Sequence, residues 1–140
     1  MDIKDISSEE LRKLASSLKQ QGITNDSVLN IMSTIQRHIF IEPALRGRAY
    51  DFDALPIGFN QTISSPYIVA KMTQLLIETE SMENVLEIGT GCGYQACVLS
   101  NLFEHVTTIE RIKPLYEKTS NLLKALNYKN ISSIYGDGFE

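Results

Sequence analysis

A glycine-rich turn between a strand pattern and a helix pattern constrains this chain more than any other stretch. Residues 85–88 are typical of a short strand, residues 89–93 alternate three glycines with Thr90 and Cys92, and helical spacing follows at Ala96, Val98, Leu99 and Leu102. Such glycines allow a tight turn and let a ligand approach the backbone. Tyr94 stands where a G-x-G-x-x-G loop has its last glycine, which disfavours a dinucleotide site. Taken alone, the turn could equally be an ordinary strand-to-helix connection.

The elements after residue 85 alternate between strand and helix. A second strand pattern covers residues 106–109, a helix begins near Pro114, and a third strand pattern covers residues 131–135. This order predicts an α/β fold with a parallel sheet and flanking helices, of the Rossmann-like kind.

Two acidic residues follow the second and third strands. Glu110 lies twenty-one residues after Gly89, where a carboxylate can accept both hydroxyls of a ribose, and Asp137 lies between Gly136 and Gly138. With the glycine turn, they predict a crevice for a nucleoside-bearing cofactor. Individually, Glu110 could be a solvated charge and Asp137 a turn residue. Glu87 could be a buried acid hydrogen-bonded to nearby backbone amides.

The first eighty residues show a different organisation. Two amphipathic helices are predicted, one with Leu11, Leu14 and Leu18 and one with Val28, Ile31, Met32 and Ile35, and residues 43–65 suggest a long ordered loop. Pro66 then opens a helix whose predicted buried face is Ile68, Val69, Met72, Leu75 and Leu76. We therefore divide the chain into a helical extension with a loop, residues 1–80, and the first half of an α/β domain, residues 81–140.

Composition excludes several classes of protein. The chain has 13 Lys+Arg against 17 Asp+Glu and 43% hydrophobic residues, which fits a globular domain and gives no basic patch for nucleic acid or an anionic membrane. No stretch approaches the ~18 apolar residues of a spanning helix, and the N-terminus lacks a signal-peptide pattern, so a cytoplasmic protein is expected. Cys92 and Cys97 have no neighbouring ligands, so we expect reduced thiols and no metal site.

Two stretches carry a family resemblance. Residues 85–96, VLEIGTGCGYQA, resemble the first S-adenosylmethionine motif of class I methyltransferases, in the form found in protein-L-isoaspartate O-methyltransferases. Residues 54–67, ALPIGFNQTISSPY, are similar to the T-I-S-x-P stretch that carries the active-site serine of that family. The resemblance implies methyl transfer from S-adenosylmethionine, which leaves S-adenosylhomocysteine, to the free α-carboxylate of L-isoaspartyl and D-aspartyl residues in damaged proteins. The ester then closes to a succinimide, which begins repair.

The resemblance also implies a set of site residues. Ser64 would orient the carboxylate, although Ser64 or, better, Ser65 could simply cap the next helix. The implied cofactor contacts fall into four groups: Gln61, Thr62, Ile63 and Ser64 over the cofactor; Glu87, Gly89, Thr90, Gly91 and Gly93 at its methionine part; Glu110 with Arg111 at its ribose; Asp137 and Gly138 near its adenine.

Members of this family continue past the Gly-Asp-Gly motif with further strands and helices, whereas this sequence stops at Glu140. We therefore expect a fold truncated after the third strand, with residues 85–88 as an unpaired apolar edge that could form a homo-oligomer. One alternative is a non-catalytic module that binds the cofactor or a partner. Another is a methyltransferase that acts on a different carboxylate or on a small molecule, which the T-I-S-x-P stretch argues against.

Overall fold

The computed structural model describes residues 8–79 and 81–139. In this part of the chain the helices are α1 (Ser8–Gln20), α2 (Asp26–Met32), α3 (Pro66–Ile77), α4 (Tyr94–Ser100) and α5 (Lys113–Ala125), with short 3₁₀ helices at Arg37–Phe40 and Pro43–Arg48. The strands are β1 (Leu55–Gly58), β2 (Gln61–Ile63), β3 (Asn84–Ile88), β4 (His105–Glu110) and β5 (Ile131–Tyr135). No helix of this part is long and apolar enough to cross a membrane.

The predicted parallel sheet is confirmed. Its order is β3-β4-β5, all parallel, with Ile88 opposite Ile109 and Glu110 opposite Tyr135. Helices α4 and α5 connect consecutive strands, so the carboxyl ends of all three strands lie at one edge of the sheet. The strand β3 has no second neighbour within the described residues, and Leu86 and Ile88 are 58% and 57% exposed.

The predicted long loop contains a β-hairpin that the sequence interpretation missed. Strands β1 and β2 pair antiparallel around Phe59 and Asn60, whose φ angles are 57° and 58°. Two consecutive left-handed residues form the turn type whose twist suits a tight hairpin. The usual Asn-Gly signal is missing here. The sequence offered only the alternation of apolar Leu55 and Ile57 with other residues, and in the structure these two side chains are buried while their neighbours are exposed.

The predicted buried face of α3 is wrong in part. Val69 is buried as expected, but Ile68, Met72 and Leu75 are 45%, 53% and 53% exposed. Polar residues take the inner positions because their hydrogen bonds are satisfied there. Gln74 Oε1 accepts from the backbone amides of Thr24 and Asn25, each at 2.9 Å, which ties α3 to the start of α2.

One buried cluster extends through both predicted segments. It includes Leu18 of α1, Met32 of α2, Tyr94 of α4 and Leu123 of α5. The division between residues 80 and 81 stays a prediction, and Glu80 lies outside the described residues. Ile57 of the hairpin and Val69 of α3 belong to the same cluster, so the elements around the glycine turn share one core with the N-terminal helices.

Candidate functional site

A cavity of about 550 Å³ lies between α3, the end of the hairpin and the carboxyl end of β3. This volume is typical of small-molecule sites. Its wall brings together two motifs that are about 25 residues apart in the sequence. The predicted site residues that line it are Thr62, Ile63, Ser64, Glu87, Gly89, Thr90 and Gly91.

The glycine turn is held in place from two sides. The backbone amide of Gly89 donates to the Ile109 carbonyl at 2.8 Å, and the Thr119 hydroxyl of α5 donates to the Gly91 carbonyl at 2.6 Å. Glu110 accepts a 3.0 Å bond from the Gly91 amide through Oε1 and a 2.9 Å bond from the Ile112 amide through Oε2. Glu110 is 5% exposed and lies outside the cavity lining, so in this structure its carboxylate fixes the turn.

Glu87 places a carboxyl group on the cavity wall. The Thr108 hydroxyl donates to Glu87 Oε1 at 2.6 Å, and the hydroxyls of Thr108 and Thr90 are also 2.6 Å apart. Desolvation raises the pKa of the Glu87 carboxyl to about 7; the hydrogen bond from Thr108 opposes this shift, and the nearby Glu110 charge adds to it. The Glu87 carboxyl therefore titrates near neutral pH.

Ser64 and Ser65 have different surroundings. The Ser65 hydroxyl accepts from the Ile68 amide at 3.3 Å and caps α3, in agreement with the better placement expected for it. Ser64 is exposed and lines the cavity, and its backbone carbonyl accepts a 2.9 Å bond from Arg37 Nη2. The Ser64 hydroxyl is thus not used for capping.

The other predicted site residues lie outside the cavity lining. Gln61 borders the hairpin turn, and Arg111 is exposed after β4. Asp137 Oδ1 accepts from the Phe139 amide at 2.9 Å, as expected of a turn residue. A Cβ atom at Gly138 would lie 2.5 Å from Cγ2 of Ile88, so this segment passes directly beside the end of β3.

Gly93 is the N-cap of α4 and has a left-handed backbone, φ 92°, and a Cβ there would lie 2.9 Å from Thr119 Cγ2. We expect Gly93→Ala to lower the free energy of unfolding by at least about 1–2 kcal/mol, because the left-handed conformation alone costs that much. Urea denaturation measures this change. Gly47→Ala is the control, since a Cβ atom added there would meet no tertiary neighbour within 4 Å and the φ of Gly47 is not positive. Equal stability of the two variants would contradict the packing role of Gly93.

The sequence interpretation missed several residues around the site. Met72 and Leu75 line the cavity from α3, and Gln95 does so from α4, where its Nε2 donates to Thr73 Oγ1 at 2.9 Å. Arg37 lies behind Ser64. The helical period alone could not distinguish a cavity wall from a core face. Within residues 8–79 and 81–139, no group of three or more His, Cys, Asp or Glu side chains is arranged to hold a metal ion.

Comparisons with known proteins agree with this geometry. The family model for protein-L-isoaspartate(D-aspartate) O-methyltransferase matches residues 9–140. Protein-L-isoaspartate O-methyltransferase of Proteus mirabilis is 50% identical over 133 residues, which are 95% of this chain and 64% of that protein.

Two solved structures share the fold. A protein-L-isoaspartate O-methyltransferase superimposes with a TM-score of 0.78 at 25% identity, over 92% of this chain and 43% of that one. A Plasmodium falciparum protein described by the same name, in complex with S-adenosyl-L-homocysteine, has a TM-score of 0.73 at 23% identity, over 89% and 61%. The class I methyltransferase fold is thus confirmed, and the chain spans about half the length of these relatives. On the match of its own residues 9–140, the chain belongs to the protein-L-isoaspartate(D-aspartate) O-methyltransferase family.

Proposed function

We propose that this chain binds S-adenosylmethionine and contributes to methyl transfer to the free α-carboxylate of isoaspartyl and D-aspartyl residues in damaged proteins. The observation that carries the proposal is the shared cavity, in which Ser64 of the T-I-S-x-P stretch and the glycine turn line one wall. The family match and the relative solved with S-adenosyl-L-homocysteine support it.

The residues present fit this cofactor. Glu87 offers an acidic group to the amino end of the cofactor, and the glycines between Ile88 and Tyr94 leave the backbone accessible. Residues 61–64 would cover the cofactor. The family match, rather than the cavity lining, supports the contacts of Glu110 with Arg111 at its ribose and of Asp137 with Gly138 near its adenine. When bound, S-adenosylmethionine supplies a methyl group activated by its sulfonium.

The protein side of the reaction requires positioning rather than a strong base. A carboxylate is already ionised at neutral pH, so the chain must bring it to the methyl donor in line and exclude competing water. The exposed Ser64 hydroxyl is suited to donate a hydrogen bond to one carboxylate oxygen. The other oxygen then remains free to attack.

Calorimetric titration with S-adenosylhomocysteine tests the proposal first, and methylation of an isoaspartyl peptide with labelled S-adenosylmethionine tests it second. Saturable binding followed by methylation supports the function. Binding without methylation favours the alternative, a cofactor- or partner-binding module, which the partial length and the open β3 edge also allow. A folded chain that does not bind S-adenosylhomocysteine contradicts the proposed function and the cofactor-binding form of the alternative, and favours a partner-binding module.

Ser64→Ala should reduce the rate of methyl transfer by roughly ten- to a hundredfold, because a hydrogen bond to a charged group contributes about 1.5–3 kcal/mol. Affinity for S-adenosylhomocysteine should stay within about twofold of the original value. Ser65→Ala is the matched control, since loss of a helix cap lowers stability by ~1 kcal/mol without touching the reaction. Turnover of Ser64→Ala equal to that of the Ser65→Ala control would rule out the proposed role.

We also propose a cytoplasmic location, because the free thiols Cys92 and Cys97 fit a reducing compartment.

We further propose that the chain self-associates through the β3 edge, where Leu86 and Ile88 are exposed. Light scattering should show a dimer that Ile88→Lys converts to a monomer. A monomer before the substitution would contradict self-association.

A further inference from the structure

Arg37 is a fully buried cation directly behind the cavity wall. It begins the 3₁₀ helix Arg37–Phe40 and is 0% exposed. Its Nε donates to the Ala49 carbonyl at 2.6 Å, and its Nη2 donates to the Ser64 carbonyl at 2.9 Å. Its guanidinium carbon also lies 5.0 Å from the ring centroid of Tyr94. Two of these three partners, Ser64 and Tyr94, line the cavity.

The charge of Arg37 is not neutralised by an acid. Within the described part of the chain, no carboxylate forms an ion pair with it, and its Nη1 is buried without a hydrogen-bond partner. Two carbonyl oxygens and an aromatic face compensate only part of its desolvation. An arginine stays protonated under such conditions, so a net positive charge remains beside Ser64.

Only an arginine suits this position. Its Nε and Nη2 bond simultaneously to carbonyls that are fifteen residues apart in sequence, and this fixes the backbone from which the Ser64 hydroxyl projects. A lysine would keep the charge but has no planar fork to hold both carbonyls. Arg37 thus combines two separable properties, a fixed geometry and a positive potential.

We propose that Arg37 is a positioning and specificity-determining residue, which orients Ser64 and makes the cavity beside it selective for a carboxylate over the neutral amide. The inference rests on the proposed function, because it concerns the substrate carboxylate of that same site. The positive potential acts across a low-dielectric wall, where it is weakly screened. A carboxylate next to Ser64 therefore gains stability that a carboxamide does not.

The test compares two peptides, one with an isoaspartyl residue and one with its α-carboxamide, in the presence of S-adenosylhomocysteine. Calorimetry gives the affinity ratio of the two peptides for the original chain, for Arg37→Met and for Arg37→Lys. Arg48→Met is the matched control. Arg48 is exposed at the end of the neighbouring 3₁₀ helix, and its substitution removes a charge of the same sign. The backbone carbonyl resonance of Ser64, measured by NMR, reports on the hydrogen bond from Arg37.

We expect Arg37→Met to reduce the carboxylate-to-carboxamide affinity ratio at least tenfold, with S-adenosylhomocysteine affinity within twofold and the control unchanged. Arg37→Lys should keep the ratio but shift the Ser64 carbonyl resonance and lower turnover. If Arg37→Met does not fold, Arg37→Lys decides alone, and an unchanged resonance and turnover would overturn the inference.

Failure of the inference and failure of the function are distinguishable. A folded Arg37→Met with the original affinity ratio overturns the role of Arg37 and leaves the function intact. An original chain that binds both peptides equally contradicts the proposed function, and the inference fails with it.

Discussion

Glu110→Gln should lower the free energy of unfolding by about 1.5–3 kcal/mol, because the buried carboxylate accepts two backbone hydrogen bonds. A Gln side chain keeps one acceptor oxygen but directs an NH₂ group at the other amide. One of Gly91 and Ile112 then loses its partner in a buried place, where an unsatisfied donor is costly. Urea denaturation measures the effect. Glu117→Gln removes an exposed acid from α5 and serves as the control.

Glu110→Ala should also weaken binding of S-adenosylhomocysteine by roughly ten- to a hundredfold, which corresponds to about 1.5–3 kcal/mol. Two causes act together: the turn at Gly91 loses its anchor, and the proposed ribose contact is lost. Either variant with the original affinity would contradict a role for Glu110 at the cofactor.

The second large effect concerns pH. The carboxyl of Glu87 has a pKa of about 7 in the folded chain and an ordinary value of 4.5 in the unfolded chain. Between these values the folded state binds more protons than the unfolded state, so stability falls as pH rises from about 4.5 to 7. The full shift corresponds to an upper bound of about 3 kcal/mol, reduced by partial exposure of Glu87 to the cavity.

Denaturation midpoints at several values between pH 4.5 and 8, for the original chain and for Glu87→Gln, isolate this contribution. Other titrating groups are common to both proteins, so only the difference in slope is assigned to Glu87. The original chain should lose stability relative to the variant as pH rises through this window. Parallel curves would show that the folded pKa of Glu87 is ordinary.

The sequence predicted the parallel sheet well because each strand is a short stretch rich in β-branched or aromatic residues and is followed by a turn or helix signal. The glycine turn was located because its spacing is specific, whereas Ser64 was singled out only through the resemblance of the T-I-S-x-P stretch to a known family. The hairpin and Arg37 were missed for physical reasons: a type I′ turn without Asn-Gly has no local signature, and the partners of Arg37 are fixed only by tertiary packing. Likewise, α3 has an apolar stripe that faces the cavity and solvent rather than the core.

Hydrogen bonds connect the Glu87 carboxyl to the Thr108 hydroxyl and the Thr108 hydroxyl to that of Thr90. The protonation state of the carboxyl decides which hydroxyl donates in each bond. When Glu87 is ionised, it can only accept, so Thr108 must donate to it and Thr90 must donate to Thr108. Thr90 then presents only lone pairs to the cavity, which is the complement of an ammonium group. When Glu87 is protonated, the same two hydroxyls can reverse, and Thr90 becomes free to donate. The protonation of Glu87 thus decides whether the Thr90 hydroxyl, on the same cavity wall, can donate a hydrogen bond or only accept one.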